Sequence, residues 1–201
     1  VTDQPPAAYI SKNILDPFGM KNSRFVWTGK ENIPVALGHN ENGEPVAKAL
    51  WPEMIAGASL HSTPADFAKF MLAVMRPSAD NPYHLSCTMT GEMLTPQVSV
   101  NDSATWHDDW PKPSIELNES ISWGLGWGIQ HTANEGSFWH WGDNGNYQNF
   151  AIGTNEEGVG IVVMTNGRNG KQVYQGILRD ILGGEYPSLD WLIDLSPPRA
   201  A

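Results

Sequence analysis

Hydrophobic and polar positions follow different periods in the two halves of the chain. In the first half the clearest signal is helical. Thr63-Pro64-Ala65-Asp66 has the pattern of a helix start, with Thr63 as N-cap, Pro64 in the first turn and Asp66 as the carboxylate of a capping box. Phe67, Phe70, Met71, Val74 and Met75 then recur at helical spacing, and Pro77 ends the run. That stripe predicts core packing. A shorter helix is predicted at about 88–94. Another opens at Pro5-Pro6, with Ala7, Ile10 and Ile14 as its apolar face, and stops at Pro17. Residues 21–54 show no helical period, and Glu41-Asn42-Gly43-Glu44 reads as a turn between short extended pieces.

The second half alternates. Ile121, Trp123, Leu125, Trp127 and Ile129 share one parity, with glycine at 124, 126 and 128 between them. Period two predicts a single strand with one heavy face and one bare face, and a helix lying across the bare one. Residues 147–153 read as another strand. Residues 158–165 are apolar on both faces, as in a buried central strand, and a hairpin turn is expected at 154–158. A last helix is expected over 171–182, with Val173, Ile177, Leu178 and Ile181 as its apolar face and Gly183-Gly184 as its stop. Trp191, Leu192 and Leu195 are expected to pack back from the tail. The fold class is α+β: a helix-and-loop region over 1–119, and antiparallel strands with a covering C-terminal helix over 120–201, including a three-stranded unit.

Composition narrows the partners. The formal charge is −10 over 201 residues and the pI is about 4.9, which argues against nucleic acid. No apolar run reaches membrane-span length. The lone cysteine, Cys87, excludes an internal disulfide and has no local activating base, so a buried structural thiol is expected there. The six histidines show no His-x-x-x-His spacing, and no metal or cofactor is expected. The chain begins at Val1 without an initiator Met, which leads us to expect a C-terminal piece of something longer.

The chemistry gathers at Phe138-Trp139-His140-Trp141-Gly142-Asp143-Asn144-Gly145-Asn146-Tyr147. His140 is expected at a strand end, facing a cleft. Gly142 lets a ligand approach the backbone, and the Asp143 N–H is a candidate oxyanion donor. Trp141, Gly142 and Asn144, with Trp106 and Trp110 from the acidic stretch at 98–119, are candidate substrate-binding residues.

Several segments resemble penicillin-recognising serine hydrolases, the group of class C β-lactamases, D-alanyl-D-alanine carboxypeptidases and related esterases. His140-Trp141-Gly142 is similar to their His-x-Gly or Lys-Thr-Gly motif. Leu15-Asp16-Pro17-Phe18-Gly19-Met20, the 56–66 segment, Trp123-Gly124-Leu125-Gly126-Trp127 and Val163-Met164-Thr165-Asn166-Gly167 resemble other family segments in the family's order. The resemblance implies the C-terminal part of a β-lactamase/transpeptidase-like fold. It further implies acyl-enzyme hydrolysis of a small-molecule ester, short peptide or β-lactam, and a periplasmic or secreted setting. His140 then takes the motif lysine's place and the Asp143 N–H serves the oxyanion.

Two family motifs are not found. No lysine has a serine three residues before it, so Ser-x-x-Lys is absent from the sequence. Tyr147-Gln148-Asn149 fits Tyr-x-Asn but follows the His-x-Gly, in the wrong order, and Ser11-Lys12-Asn13 is discounted as mid-helix. The resemblance therefore implies that an N-terminal half of the same protein carries both motifs, and that this chain is inactive by itself. The alternative is a non-catalytic binding module or pseudoenzyme, with Trp106, Trp110, Trp139 and Trp141 forming a platform for ring-bearing ligands.

Overall fold

A computed structural model describes residues 3–80, 83–100, 120–131, 136–154, 158–183 and 186–194. Its centre is a six-stranded antiparallel meander in the order β3 (Val98–Ser99), β4 (Ile121–Trp123), β5 (Gly128–His131), β6 (Gly136–Asp143), β7 (Gln148–Thr154) and β8 (Gly160–Met164). A separate two-stranded ribbon pairs β1 (Gly38–His39) with β2 (Pro45–Val46). The α+β reading holds, with a sheet twice as wide as the expected three-stranded unit.

Each sheet face has its own core. On one side Phe138, Ala151, Ile129 and Trp127 meet Met71 and Val74 of helix α2 (Pro64–Met75). On the other, Trp139, Phe150 and Ile152 meet Tyr174 and Leu178 of α4 (Gly170–Leu182), and Leu189, Trp191 and Leu192 of α5 (Pro187–Asp194). Alternation along β6 sends Phe138 to one core and Trp139 to the other.

Helix α2 starts where its sequence says. The Thr63 hydroxyl accepts from the Asp66 N–H at 3.2 Å. The Asp66 carboxylate, however, does not close a capping box. It accepts from the Asn22 N–H (2.7 Å), the Ser23 hydroxyl (3.2 Å) and the Lys69 ammonium (2.7 Å), pinning the loop after the first helix to α2. That first helix is α-helical over Pro6–Ile10 (α1) and continues as a π-helical turn over Ser11–Leu15, with Leu15 its buried anchor. Helix α3 (Cys87–Met93) is capped by Ser86. Cys87 opens it and is exposed, so the expected buried thiol is not found: the first turn faces solvent, not core.

Three expectations, two about strands and one about a helix, are corrected. The 121–129 run is not one strand. Gly124-Leu125-Gly126-Trp127 is a reversal that folds Trp123 back against Gly128, with Gly126 at φ +85° where a side chain would be strained. Close approach is real at Gly124 and Gly128, but among the described residues it comes from the end of α3 and from the neighbouring strand, not from a helix lying across a bare face. A Cβ on Gly124 would strike the Met93 carbonyl at the end of α3, and one on Gly128 would strike the Trp139 indole. Second, β8 is an edge strand among the described residues. It is half-buried, and among the described residues only β7 pairs with it along Gly160–Met164. Third, α4 buries Tyr174, Gln175 and Leu178, while Val173 (53%), Ile177 (37%) and Ile181 (64%) are exposed. The helix is rotated so that Tyr174 stacks on Phe150, at 5.4 Å between ring centroids. The C-terminal stop holds, with Gly183 at φ +63° donating to the Arg179 carbonyl.

Candidate functional site

Strand β6 carries the site, and its register decides which backbone groups are free. Asn144 donates its N–H to the Tyr147 carbonyl across the hairpin. Antiparallel ladders alternate, so the N–H groups of Gly142 and His140 also face β7, while those of Asp143 and Trp141 face the opposite way. On that side β5 has already ended, since its last partner on β6 is Trp139, opposite Gly128. The Asp143 N–H and the Trp141 carbonyl therefore point to an unpaired stretch of strand edge. The sequence shows the glycines and the histidine but not this register.

His140 lies inside β6, paired with Ala151, rather than at the strand end expected. Its ring stacks on Trp141 (5.3 Å, 15° between planes) and meets Trp127 edge-on at 6.4 Å. The imidazole reaches solvent at its outer edge. The rings around it nevertheless exclude enough water to lower its pKa below the ordinary 6.5, outweighing the opposite effect of the hydrogen bond to Trp141. Its Nδ1 lies 2.7 Å from the Trp141 carbonyl oxygen. A carbonyl only accepts, so Nδ1 carries the proton and the neutral ring presents a lone pair at Nε2.

Gly142 has no internal reason to be glycine. A Cβ there would have only the Asn149 amide at 3.8 Å, so the space above it is open. Trp141 is half-buried in an aromatic cluster with Trp123, Trp139 and Trp191, at 5.4 to 6.0 Å between centroids. The Asn144 amide donates to the Ala58 carbonyl at 2.8 Å, tying the hairpin tip to the 56–62 loop. Trp106 and Trp110 lie outside the described residues.

Sequence reasoning overlooked the group that holds the end of β6. The Gln148 amide donates to the Asp143 carboxylate at 3.1 Å, and its oxygen accepts the Lys171 N–H at 2.8 Å, joining β6 to the start of α4. The other Asp143 oxygen accepts the Gly145 N–H at 2.8 Å. The Asp143 backbone is thus fixed by its own side chain. Tyr147 and Asn149, the out-of-order Tyr-x-Asn match, are structural: the Tyr147 hydroxyl donates to the Ala36 carbonyl and the Asn149 amide oxygen accepts from the Thr165 N–H. No cluster of three or more His, Cys, Asp or Glu suited to a metal ion occurs among the described residues.

The beta-lactamase family profile matches residues 1–182. The chain belongs to the beta-lactamase family. Solved structures agree on the fold. The octameric penicillin-binding protein homologue from Pyrococcus abyssi is 22% identical, with a TM-score of 0.66 over 90% of this chain and 38% of that one. A β-lactamase/D-alanine carboxypeptidase from Pseudomonas syringae is 13% identical, with a TM-score of 0.62 over 92% of this chain and 55% of that one. The D-amino acid amidase from Ochrobactrum anthropi SV3 is 18% identical, with a TM-score of 0.58 over 91% of this chain and 56% of that one. The chain thus spans between 38% and 56% of the length of these relatives. No curated protein matches it. The family is one of serine hydrolases.

Proposed function

We propose that these residues form one wall of the active site of an acyl-transferring serine hydrolase. A serine activated by a lysine, from Ser-x-x-Lys and Tyr-x-Asn segments in an N-terminal half of the same protein, attacks an ester, short-peptide or β-lactam carbonyl. An acyl-enzyme forms, and water releases it. The observation that supports this most is the free Asp143 N–H at an edge with open space above Gly142. It is a fixed donor for the oxyanion that develops as the carbonyl becomes tetrahedral.

His140 takes the lysine's place with different chemistry. Its neutral tautomer offers an acceptor at Nε2, which suits receiving a proton from the nucleophile's network and does not suit binding a substrate carboxylate. In this reading an N-terminal half docks on two features: among the described residues the outer edge of β8 is unpaired, and α4, which packs on β7 and β8, exposes an apolar stripe. The binding-module reading loses a pillar, because Trp139 is fully buried and cannot form a ligand platform.

Intact-mass analysis with a serine-directed fluorophosphonate tests the proposal. One adduct per full-length protein, on a serine outside these 201 residues, is expected, with no adduct on the 201-residue polypeptide alone. An adduct on the short polypeptide, or none on the full-length protein, overturns it.

A further inference from the structure

Three loop segments meet the tip of the β6–β7 hairpin and bring together positive charge that the sequence scatters. The Lys48 ammonium lies over the Tyr147 ring at 4.6 Å and over the Trp27 ring at 5.9 Å. On Trp27 stacks His61, 5.8 Å away and 24° from parallel. Arg24 and His61 are locked by reciprocal backbone hydrogen bonds of 2.9 and 2.8 Å. Tyr147 stands one residue beyond the Asp143–Gln148 pair, roughly 3.3 Å further along the ladder. The corner therefore lies at the tip of the hairpin whose first strand carries Asp143.

Among the described residues the two cations of this corner, Lys48 and Arg24, have no ion-pair partner, in a chain with 22 acidic and 12 basic residues. The ring faces hold the Lys48 charge but give its N–H groups no acceptor. Arg24 Nε is buried without any hydrogen-bond partner. Two carboxylates are near, and both are occupied. Glu31, whose charge reaches His61, accepts from the Thr28 N–H and hydroxyl. Asp143 accepts from Gly145 and Gln148. Burial, reinforced by the charges of Lys48 and Arg24, lowers the His61 pKa despite its hydrogen bond to Ser59, so the ring adds no charge.

We infer that Lys48 and Arg24, walled by Trp27, His61 and Tyr147, form a subsite for a carboxylate on the substrate. The inference rests on the hydrolase reading above and assigns that reading a preference for acyl groups ending in a carboxylate. His140, as a neutral acceptor, cannot supply this recognition, and Lys48 supplies it from the hairpin tip. Part of the corner's specificity is geometric: Tyr147 is held by its bond to the Ala36 carbonyl, and the Asn144–Ala58 bond ties the hairpin tip to the loop that carries His61.

The test uses the full-length protein and two esters matched in length, 4-nitrophenyl hydrogen glutarate and 4-nitrophenyl pentanoate. Lys48→Met keeps the stem between the rings and removes the charge. It is expected to lower the ratio of kcat/KM for the acidic over the neutral ester about tenfold, as expected for loss of a charge-assisted contact. Lys48→Arg is expected to retain most of the ratio, and Arg24→Gln to lower it without disturbing the Tyr147 stack. An unchanged ratio in Lys48→Met and Arg24→Gln, both folded by circular dichroism, overturns the inference.

A second measurement needs no catalysis. Monomethyl glutarate at constant ionic strength should quench tryptophan fluorescence saturably in the wild type and not in Lys48→Met. Equal quenching in both, or equal displacement by inorganic phosphate, overturns the carboxylate assignment. Saturable binding without hydrolysis of either ester would sink the hydrolase reading and leave the subsite standing. Hydrolysis of both esters with no charge-dependent ratio or binding would do the reverse.

Discussion

His140 is a histidine whose surroundings hold it neutral. Its pKa is lowered by desolvation among the tryptophans, so as pH falls the unfolded chain takes up the proton before the folded one does. Stability from this residue is full above the ordinary value of 6.5 and declines below it, until the folded imidazole also protonates. His61 carries the same sign. Urea midpoints at pH of about 7.5 and 5.5 should therefore fall with pH, and the fall should be smaller in His140→Gln and smaller still with His61→Gln added. An unchanged slope in the double variant counts against the assignment. Asp66 has the same sign of dependence in a more acidic range. Burial pushes its carboxyl up, but the hydrogen bonds from Lys69, Asn22 and Ser23 together with the Lys69 charge outweigh this and hold it below the ordinary range. Its contribution is present at neutral pH and lost in acid as the carboxylate protonates. Asp66→Ala strands the Asn22 N–H and removes one of the two partners of the Ser23 hydroxyl, which keeps Ser62, and should cost about 2 kcal/mol in urea unfolding at neutral pH.

Glycine placement tests the sheet at the scale of its elements. Gly128→Ala drives a methyl into the Trp139 indole between two strands and should cost about 2 to 3 kcal/mol. Gly126→Ala meets no neighbour but must hold φ +85°, a strain of about 1 kcal/mol. Gly57→Ala, with open space and an ordinary φ, should be close to neutral. Thermal melts of the three, in that order of loss, would establish that the 124–128 glycines serve a reversal and an inter-strand contact. The same residues show what the sequence made legible. Helix α2 could be read because its cap, first-turn proline and stripe are local signals that agree. The 121–129 run misled because alternating glycine fits both a strand with a bare face and a turn that needs φ > 0. Only pairing with Gly128 separates them, and pairing is non-local. The stripe of α4 misled for a related reason: Tyr174 and Gln175, which periodicity on apolar residues ignores, face the sheet. At the site, His140 and Gly142 were legible as residue types. The direction of the Asp143 N–H and the Gln148 bridge depend on ladder parity and on helix α4, which no spacing encodes.

For the whole molecule, the consequential feature is where apolar surface is left uncovered. Val173, Ile177 and Ile181 form a continuous stripe on α4, since residues four apart share a face. Val159 is also exposed just before the open edge of β8. Leaving three large aliphatic side chains and a strand edge in water is unfavourable. In the proposed full-length enzyme they are covered by polypeptide preceding these residues, with strands extending the sheet past β8 and a helix lying along α4. Ile181→Lys then has different consequences in the two forms. In the 201-residue polypeptide the lysine replaces an exposed isoleucine, so the urea midpoint should stay within about 0.5 kcal/mol and solubility should rise. In the full-length protein the charge is forced into an apolar contact, and the loss should reach about 2 kcal/mol or more. Comparing Ile181→Lys with Val173→Lys in both forms separates docking from any intrinsic effect on helix α4. A helix effect appears equally in both forms, and docking appears only in the long one. Equal small effects everywhere would mean that the stripe faces water in the complete enzyme and that the N-terminal half joins the sheet by some other surface.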